Sequence, residues 1–368
     1  MSGSKDTLYK WNCFVHYRRG DVFMENLFTP YKIKNLELKN RVVMPPMCQY
    51  SVTNKDGIAN DWHYTHYVSR AIGGASLIII EMTDIEPDGR ITDYDLGLWS
   101  DEQIPALARI IEACHKHGAK VGIQIAHAGR KAEDAAEPVA PSAIPFDENS
   151  KTPRALTIDE IKEMVEKFRR AVARAIKAGV DVIELHGAHG YLIHEFQSAL
   201  TNKRTDEYGK DLAKFGKEVI QAAKSEMPAD MPLIFRISAM EFVDGGYGIK
   251  ESIELAKEYK AAGVDMFHVS AGGEGQIAAH GRPGTHAAYQ VPLAREMKHT
   301  LNVPVIAVGR LDEPVLANAV IGNEDADLVA VGRGMLRNPY WTLEAAAKLN
   351  KETTVPQQYQ VSFPKNRK

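Results

Sequence analysis

The stretch ELHGAHGYLIHEF, residues 184–196, sets His186, His189 and His194 within nine positions, with Glu184 ahead of them and Tyr191 among them. Such a grouping suits a metal site, a proton relay or a pocket for a developing negative charge. Zinc needs three or four converging ligands, so Glu184 or His127 would have to complete a set begun by His186 and His189. The first candidate strand carries no H-x-H pair, and no H-E-x-x-H occurs anywhere in the chain. Two neutral imidazoles can instead donate two N–H bonds to one oxygen, with a nearby tyrosine as proton donor. That trio fits a carbonyl that gains electron density while a neighbouring carbon takes a proton, as in reduction of an activated alkene. His194 lies one helical turn into LIHEF and reads as a packing residue.

Other reactive types are scattered more widely. Arg236 stands in the middle of LIFRIS, among β-branched and aromatic neighbours. A lone buried charge is costly, so it must meet a carboxylate such as Glu81 or Glu184, or an anionic ligand. Gln124 offers an amide that both donates and accepts, suited to the edge of a heteroaromatic ring and equally to a core hydrogen bond. Cys48, in PPMCQYS, has no adjacent histidine or basic partner to make it a nucleophile. Gly309-Arg310 and Gly332-Arg333-Gly334 each follow a short apolar run, and each could cradle a phosphate.

These residues become a site only if one fold gathers them. A helical pattern, a glycine, then a β-branched run recurs in AIGGASLIIIEM, HKHGAKVGIQIAH, IKAGVDVIELHG, YKAAGVDMFHVSAGG, NVPVIAVGR and EDADLVAVGR. Glycine is the expected left-handed helix cap, and the run behind it reads as a strand buried on both faces. With RVVMPPM and PLIFRIS, eight strands are expected to start near Arg41, Leu77, Val121, Val180, Leu233, Asp265, Val303 and Leu328. Ile158–Lys177 is the clearest helix between them, with Thr157 and Glu160 as a capping box. Eight strands alternating with helices predict an α/β fold, a single (β/α)8 barrel with long βα loops. An open doubly wound sheet would want a G-x-G-x-x-G turn after the first strand, where PPMCQYS stands. In a barrel every residue singled out above falls at or near a strand's carboxyl end, and the two Gly-Arg pairs fall on strands seven and eight, the usual phosphate site. The Pro- and Ala-rich stretch 132–153 reads as a functional loop above strand three.

The totals exclude some classes. The chain has 368 residues, 25% charged, with a formal net charge of −3, so no basic excess points to nucleic acid. Apolar runs such as Leu77–Ile80 are far too short to span a membrane. Three cysteines make no disulfide framework, which points to a reducing cytoplasm. Residues 1–23 mix aromatic and basic types without periodicity and are expected to be an extension outside the fold. The barrel is expected over 24–368, with a tail from about 350.

Taken together, PPMCQYS, QIAHAGRK, APSAI, HGAHGYLIHEF, NKRTDEYG and VGRGMLRNP resemble the Old Yellow Enzyme family, most of all its thermophilic-like bacterial subgroup. The motifs occur in family order from about Leu27 to Tyr359. The resemblance implies a barrel holding non-covalent FMN, with NADPH or NADH as electron donor. It places the backbone of Pro45, Pro46 and Met47 along the flavin, Cys48 near its N5/O4 edge, and Met82 at the same edge. It places Gln124 on the pyrimidine edge and Arg236 facing N1/O2. Gly309, Arg310, Gly332 and Arg333 would take the phosphate. His186 and His189 would hold the substrate's carbonyl oxygen, Tyr191 would be the proton donor, and Tyr50 would also touch substrate. The implied reaction is ping-pong reduction of enones, quinones or nitro compounds by a homo-oligomer, dimer or tetramer, with no metal.

The chain departs from the family's pattern in three places. GKDLAKFGKE stands where a Ser-x-Glu-Asn-Arg stretch is usual, which predicts a changed loop after strand four. Met82 replaces a small residue. Gln358-Tyr359-Gln360-Val361 replaces Gln-Tyr-Glu-Arg, so an arginine shared with a neighbouring subunit is missing at that point, with Lys365 or Arg367 as the nearest substitutes. Two other functions compete with this one: a metal-dependent lyase or hydrolase barrel using His186, His189 and Glu184, and a non-enzymatic binder of a phosphate ligand.

Overall fold

Eight parallel strands close into a ring in the computed structural model, which describes residues 25–275 and 286–363. The extension expected over 1–23 lies outside the described residues, as do Cys13, Lys365 and Arg367. The strands are β1 (Val42–Met44), β2 (Leu77–Asp84), β3 (Lys120–Ala126), β4 (Val182–Gly187), β5 (Leu233–Ser238), β6 (Met266–Ser270), β7 (Val305–Ala307) and β8 (Leu328–Ala330). Closure is explicit in the pairing: β1 meets β8 at Val42↔Val329 and β2 at Val43↔Leu77. The open-sheet alternative is thereby excluded, and the (β/α)8 barrel stands.

Eight longer helices follow the strands: α1 (Asp61–Ile72), α2 (Ile104–Lys116), α3 (Ile158–Ala178), α4 (Lys214–Glu226), α5 (Ile249–Ala262), α6 (Val291–Leu301), α7 (Pro314–Gly322) and α8 (Trp341–Lys348). Helix α3 shows why the sequence could be read. The Thr157 N–H donates to Glu160 at 2.8 Å and the Glu160 N–H donates to Thr157 Oγ1 at 3.3 Å, so both orphan donors are satisfied at its start. Ile161, Met164, Phe168, Ala171, Val172 and Ala175 line one buried face, and Gly179 ends the helix at φ +95°. No helix among the described residues is long and apolar enough to cross a membrane.

The barrel interior is layered. Val43, Leu77, Ile79, Val182, Ile234, Met266, Ile306 and Leu328 form a dry lower cluster. Below it lies a hairpin of Tyr31–Ile33 and Leu36–Leu38, whose Leu36 and Leu38 join the same cluster. Strands of three residues are too short for alternation to be read, and this plug was not expected from the sequence. Because inward positions recur every second residue, the same faces that start with Val182, Ile234 and Met266 continue to Glu184 and His186, to Arg236 and Ser238, and to His268 and Ser270. Polar residues therefore occupy the middle and upper barrel. Replacing Leu36 with Ala should cost about 2–5 kcal/mol. It should lower the urea midpoint of unfolding, whereas an unchanged midpoint would mean that the hairpin does not seal the barrel.

Candidate active site

The middle layer is a hydrogen-bonded network. The Glu184 carboxylate accepts from Gln124 Nε2 at 2.7 Å and bonds His268 Nδ1 at 2.8 Å. All three side chains are buried, and β3, β4, β5 and β6 bring them together because Gln124 and Glu184 are in register, as are Arg236 and His268. Arg236 lies beside them with Nε buried and without a partner, and it forms no ion pair among the described residues. Of the two partners the sequence offered, neither carboxylate meets it: Glu184 is spent on Gln124 and His268, and Glu81 accepts from Gln49 N and Tyr67 Oη on the outer side. A buried guanidinium with an unmet donor fits the electron-rich edge of a flavin ring, and Gln124 stands next to it.

The upper layer carries the histidines. His186 accepts the Ala188 N–H on Nδ1 at 3.3 Å, which leaves its proton on Nε2. His189 sits in a left-handed turn at φ +61°. Its N–H donates to Ser238 Oγ at 3.0 Å, and its Nε2 bonds Ser270 Oγ at 2.7 Å, which leaves Nδ1 as the open nitrogen. The two rings meet edge to face at 5.1 Å, and Tyr191 meets His186 at 4.9 Å. Burial, with the Arg236 charge next, holds both imidazoles far below their usual pKa, so they are neutral N–H donors. Burial likewise pushes the Tyr191 phenol up, with Cys48, Tyr50, Asp84 and Asp95 adding to it. His194 is fully buried as a packing residue would be, but it also holds the turn, accepting Gly190 N–H on Nδ1 at 2.7 Å and bonding Tyr247 Oη at 2.8 Å.

One wall is apolar. Met82, Ile91, Ala126, Ala128, Ala132 and Ala135 cluster with Cys48 and Tyr191, so the loop expected above strand three does reach the site. A register shift between Ile80 and Met82 turns Met82 inward beside Gln124 and leaves Glu81 facing α1. Burial first, then Glu81, Asp95 and Asp84, raises the Cys48 thiol far above its usual range, so it is a neutral thiol. Tyr50 is half exposed at φ +49° beside it.

Across the barrel, strands β7 and β8 run side by side and end in the two Gly-Arg pairs. Gly309 adopts φ +126°, open to glycine, and the exposed Arg310 follows at φ +54°. A Cβ on Gly332 would come within 3.4 Å of Met47 Sδ and 3.6 Å of Pro45, so Pro45–Met47 and the Gly332-Arg333 turn share one edge of the mouth. The residues present therefore fit FMN: an orphaned inward arginine, an amide beside it, and glycine turns at the ends of β7 and β8. A metal centre on His186, His189 and Glu184 is not assembled among the described residues. The one group there with metal-ligand spacing is His194, Glu241 and Glu274, and its imidazole nitrogens are already hydrogen bonded.

Sequence reasoning missed the part played by His268 and Ser238. Their signal was the same period-two alternation that put Arg236 inside, carried one strand further for His268 and Ser270.

An inward-facing barrel of this kind, with donors for a flavin at one level and neutral histidines above, defines a flavin-dependent oxidoreductase. The family model described as NADH:flavin oxidoreductase / NADH oxidase matches residues 26–352. NADPH dehydrogenase of Listeria monocytogenes serotype 4a (strain HCC23) is 50% identical over 339 residues, covering 91% of this chain and 98% of that protein. NADPH dehydrogenase of Halalkalibacterium halodurans is 47% identical over 336 residues, covering 90% and 97%. Among solved structures, morphinone reductase superposes with TM-score 0.73 at 28% identity, covering 90% of this chain and 91% of that one. A 2-naphthoyl-CoA reductase in complex with 2-naphthoyl-CoA gives TM-score 0.81 at 27% identity, covering 89% of this chain and 52% of that one. The chain belongs to the NADH:flavin oxidoreductase family, the Old Yellow Enzyme family, and is an FMN-binding NAD(P)H oxidoreductase.

Glu184→Gln should test the network that shapes the flavin level. Its amide must turn a donor toward either Gln124 Nε2, a mismatch, or His268 Nδ1, which moves the ring proton to the buried, unpartnered Nε2; either costs about 1–3 kcal/mol. FMN affinity measured by fluorescence quenching should fall roughly tenfold to a hundredfold; unchanged affinity would remove Glu184 from the positioning of that layer.

Proposed function

We propose that the protein reduces the C=C bond of α,β-unsaturated carbonyl compounds, enones and quinones among them, in a ping-pong cycle with NADPH or NADH. The observation that carries this reading is the grouping of two neutral imidazoles and a phenol above the level of Arg236 and Gln124. FMN supplies the hydride chemistry when bound, and the protein supplies orientation and polarisation. Pro45, Pro46, Met47, Cys48, Met82, Gln124 and Arg236 would line its ring. Gly309, Arg310, Gly332 and Arg333 would hold its phosphate.

His186 Nε2–H is a ready donor to a carbonyl oxygen. With the Ser270 hydroxyl donating to His189 Nε2, the second proton lies on Nδ1, the open nitrogen, and serves the same oxygen. Tyr191 gives its proton to the α-carbon, and Tyr50 closes the outer side. Met82 and the alanines exclude water from the reacting carbons.

Tyr191→Phe should slow alkene reduction about a hundredfold or more while leaving reduction of the protein-bound flavin by NADPH near the wild-type rate. Stopped-flow measurement of the two half-reactions separates them, and equal losses would remove Tyr191 as the donor. Acid dependence follows from the histidines. Their folded pKa values lie well below 6.5, so the neutral grip is complete at neutral pH and is lost only as pH falls far beneath that value. The KM for cyclohexenone should be flat from about pH 6 upward until another group intervenes; a rise centred near the ordinary histidine value would contradict the assignment.

A further inference from the structure

Lys131 is outside the machinery described so far, yet its amine reaches into it. It lies in the turn after β3, and Nζ donates to the carbonyl oxygen of His189 at 2.7 Å and to that of Gly273. It thereby ties the left-handed His189 turn to the loop after β6. The same ammonium stands 5.4 Å from the Tyr191 ring centroid and 4.2 Å from that of Phe146. A cation over an aromatic face is attracted to the ring, and more strongly once the ring carries negative charge.

We propose that Lys131 is a positioning and charge-stabilising residue for proton donation, holding the His189–Tyr191 turn and stabilising the Tyr191 phenolate as it forms. The inference rests on Tyr191 being the donor. When the Tyr191 O–H bond breaks, its proton forms the new C–H bond at the α-carbon. The electron pair of that bond is the one displaced when hydride adds to the β-carbon. The phenolate left behind regains a proton from water. Burial first, and then the nearby Asp95, disfavour that charge, so a cation beside the ring offsets them. Arg236 lies deeper, at the flavin level, and Lys131 stands over the ring.

Charged side chains reach Lys131 from several elements: Arg130 from its own turn, Glu195 from the short helix after β4 and Glu274 from the loop after β6. Burial lowers its pKa to about 8, against the raising effect of Glu274 and Glu195 and with a further lowering by Arg130 on its own turn. His186 and His189 also feel its charge and are neutral. A lysine with a depressed pKa is charged below that value and loses its charge as pH rises through about 8. Glu81, on the outer side of β2, is raised by burial to about 8 as well, so the test must separate the two.

In stopped flow, reoxidation of the reduced holoenzyme by cyclohexenone should fall roughly tenfold as pH rises through about 8. Reduction by NADPH should show no such step. Lys131→Met should run at the low rate at every pH, and Lys131→Arg should keep the high rate past the step because its charge persists. FMN affinity and thermal midpoint are read alongside, and both should stay near wild type in the Arg variant. A step that survives in Lys131→Arg belongs to Glu81 and overturns the inference, as does a Met variant that slows both half-reactions equally. Tyr191→Phe is run in parallel. A Tyr191→Phe protein with wild-type reoxidation would overturn the donor itself, whereas a slow one, with the pH step retained in the Lys131 variants or with Lys131→Met at the wild-type rate, would overturn only the part given to Lys131.

Discussion

The rest of the structure depends on one buried charge. Arg236 sits inside a closed barrel near Glu184, whose carboxylate is already held by Gln124 and His268. An isolated guanidinium in such a place is expensive, and folded chains keep one only where something else meets it. The barrel can carry it because its lower layer is dry and its strand backbones satisfy one another. Stability is thus supplied below and chemistry is confined above, on the same eight strands. In the proposed reading the flavin would be the partner of that charge, an aromatic ring that becomes electron-rich on reduction.

The upper layer shows how a barrel turns strand ends into a site. Residue 189 is a histidine in a conformation that side chains rarely adopt, and its turn is held from several directions. Ser238 from β5 takes its N–H, Ser270 from β6 takes its ring, Lys131 from the turn after β3 takes its carbonyl, and His194 takes the next N–H. Such over-determination lets a strained residue keep one ring orientation. Orientation matters here because a second N–H helps a carbonyl oxygen only if it arrives where the first one points.

This division explains what could be read in advance. All eight strands begin within two residues of the places marked by glycine and β-branched runs, because buried parallel strands are written as local composition. Helix α3 was legible for the same local reason, through Thr157, Glu160 and its apolar stripe. Arg236 announced itself as a misfit inside LIFRIS. What could not be read is the set of partners. Gln124 and Glu184 are 60 residues apart, His268 and Glu184 are 84 apart, and Lys131 and Gly273 are 142 apart. Nothing in the linear chain says which strand end faces which. The Leu36–Leu38 plug escaped for a different reason, because three residues carry too little pattern.

The cavity is also electrically lopsided, and that asymmetry fits the proposed chemistry. On the β2 side, Glu81, Asp84 and Asp95 are buried; Asp84 has both oxygens unpartnered, and burial raises all three, Asp95 to about 6. Their surroundings keep Cys48 a thiol and Tyr191 a phenol. Arg236, Lys131 and the two imidazole N–H groups come instead from β5, the turn after β3 and the end of β4. Negative charge formed on a substrate oxygen would therefore be drawn toward the donors of β4 and β5, and in the proposed reaction the carbon to be protonated faces a phenol that resists ionising until the reaction demands it. A metal would supply the same pull with a single ion; here it is spread over fixed donors that need no reorganisation when the charge appears.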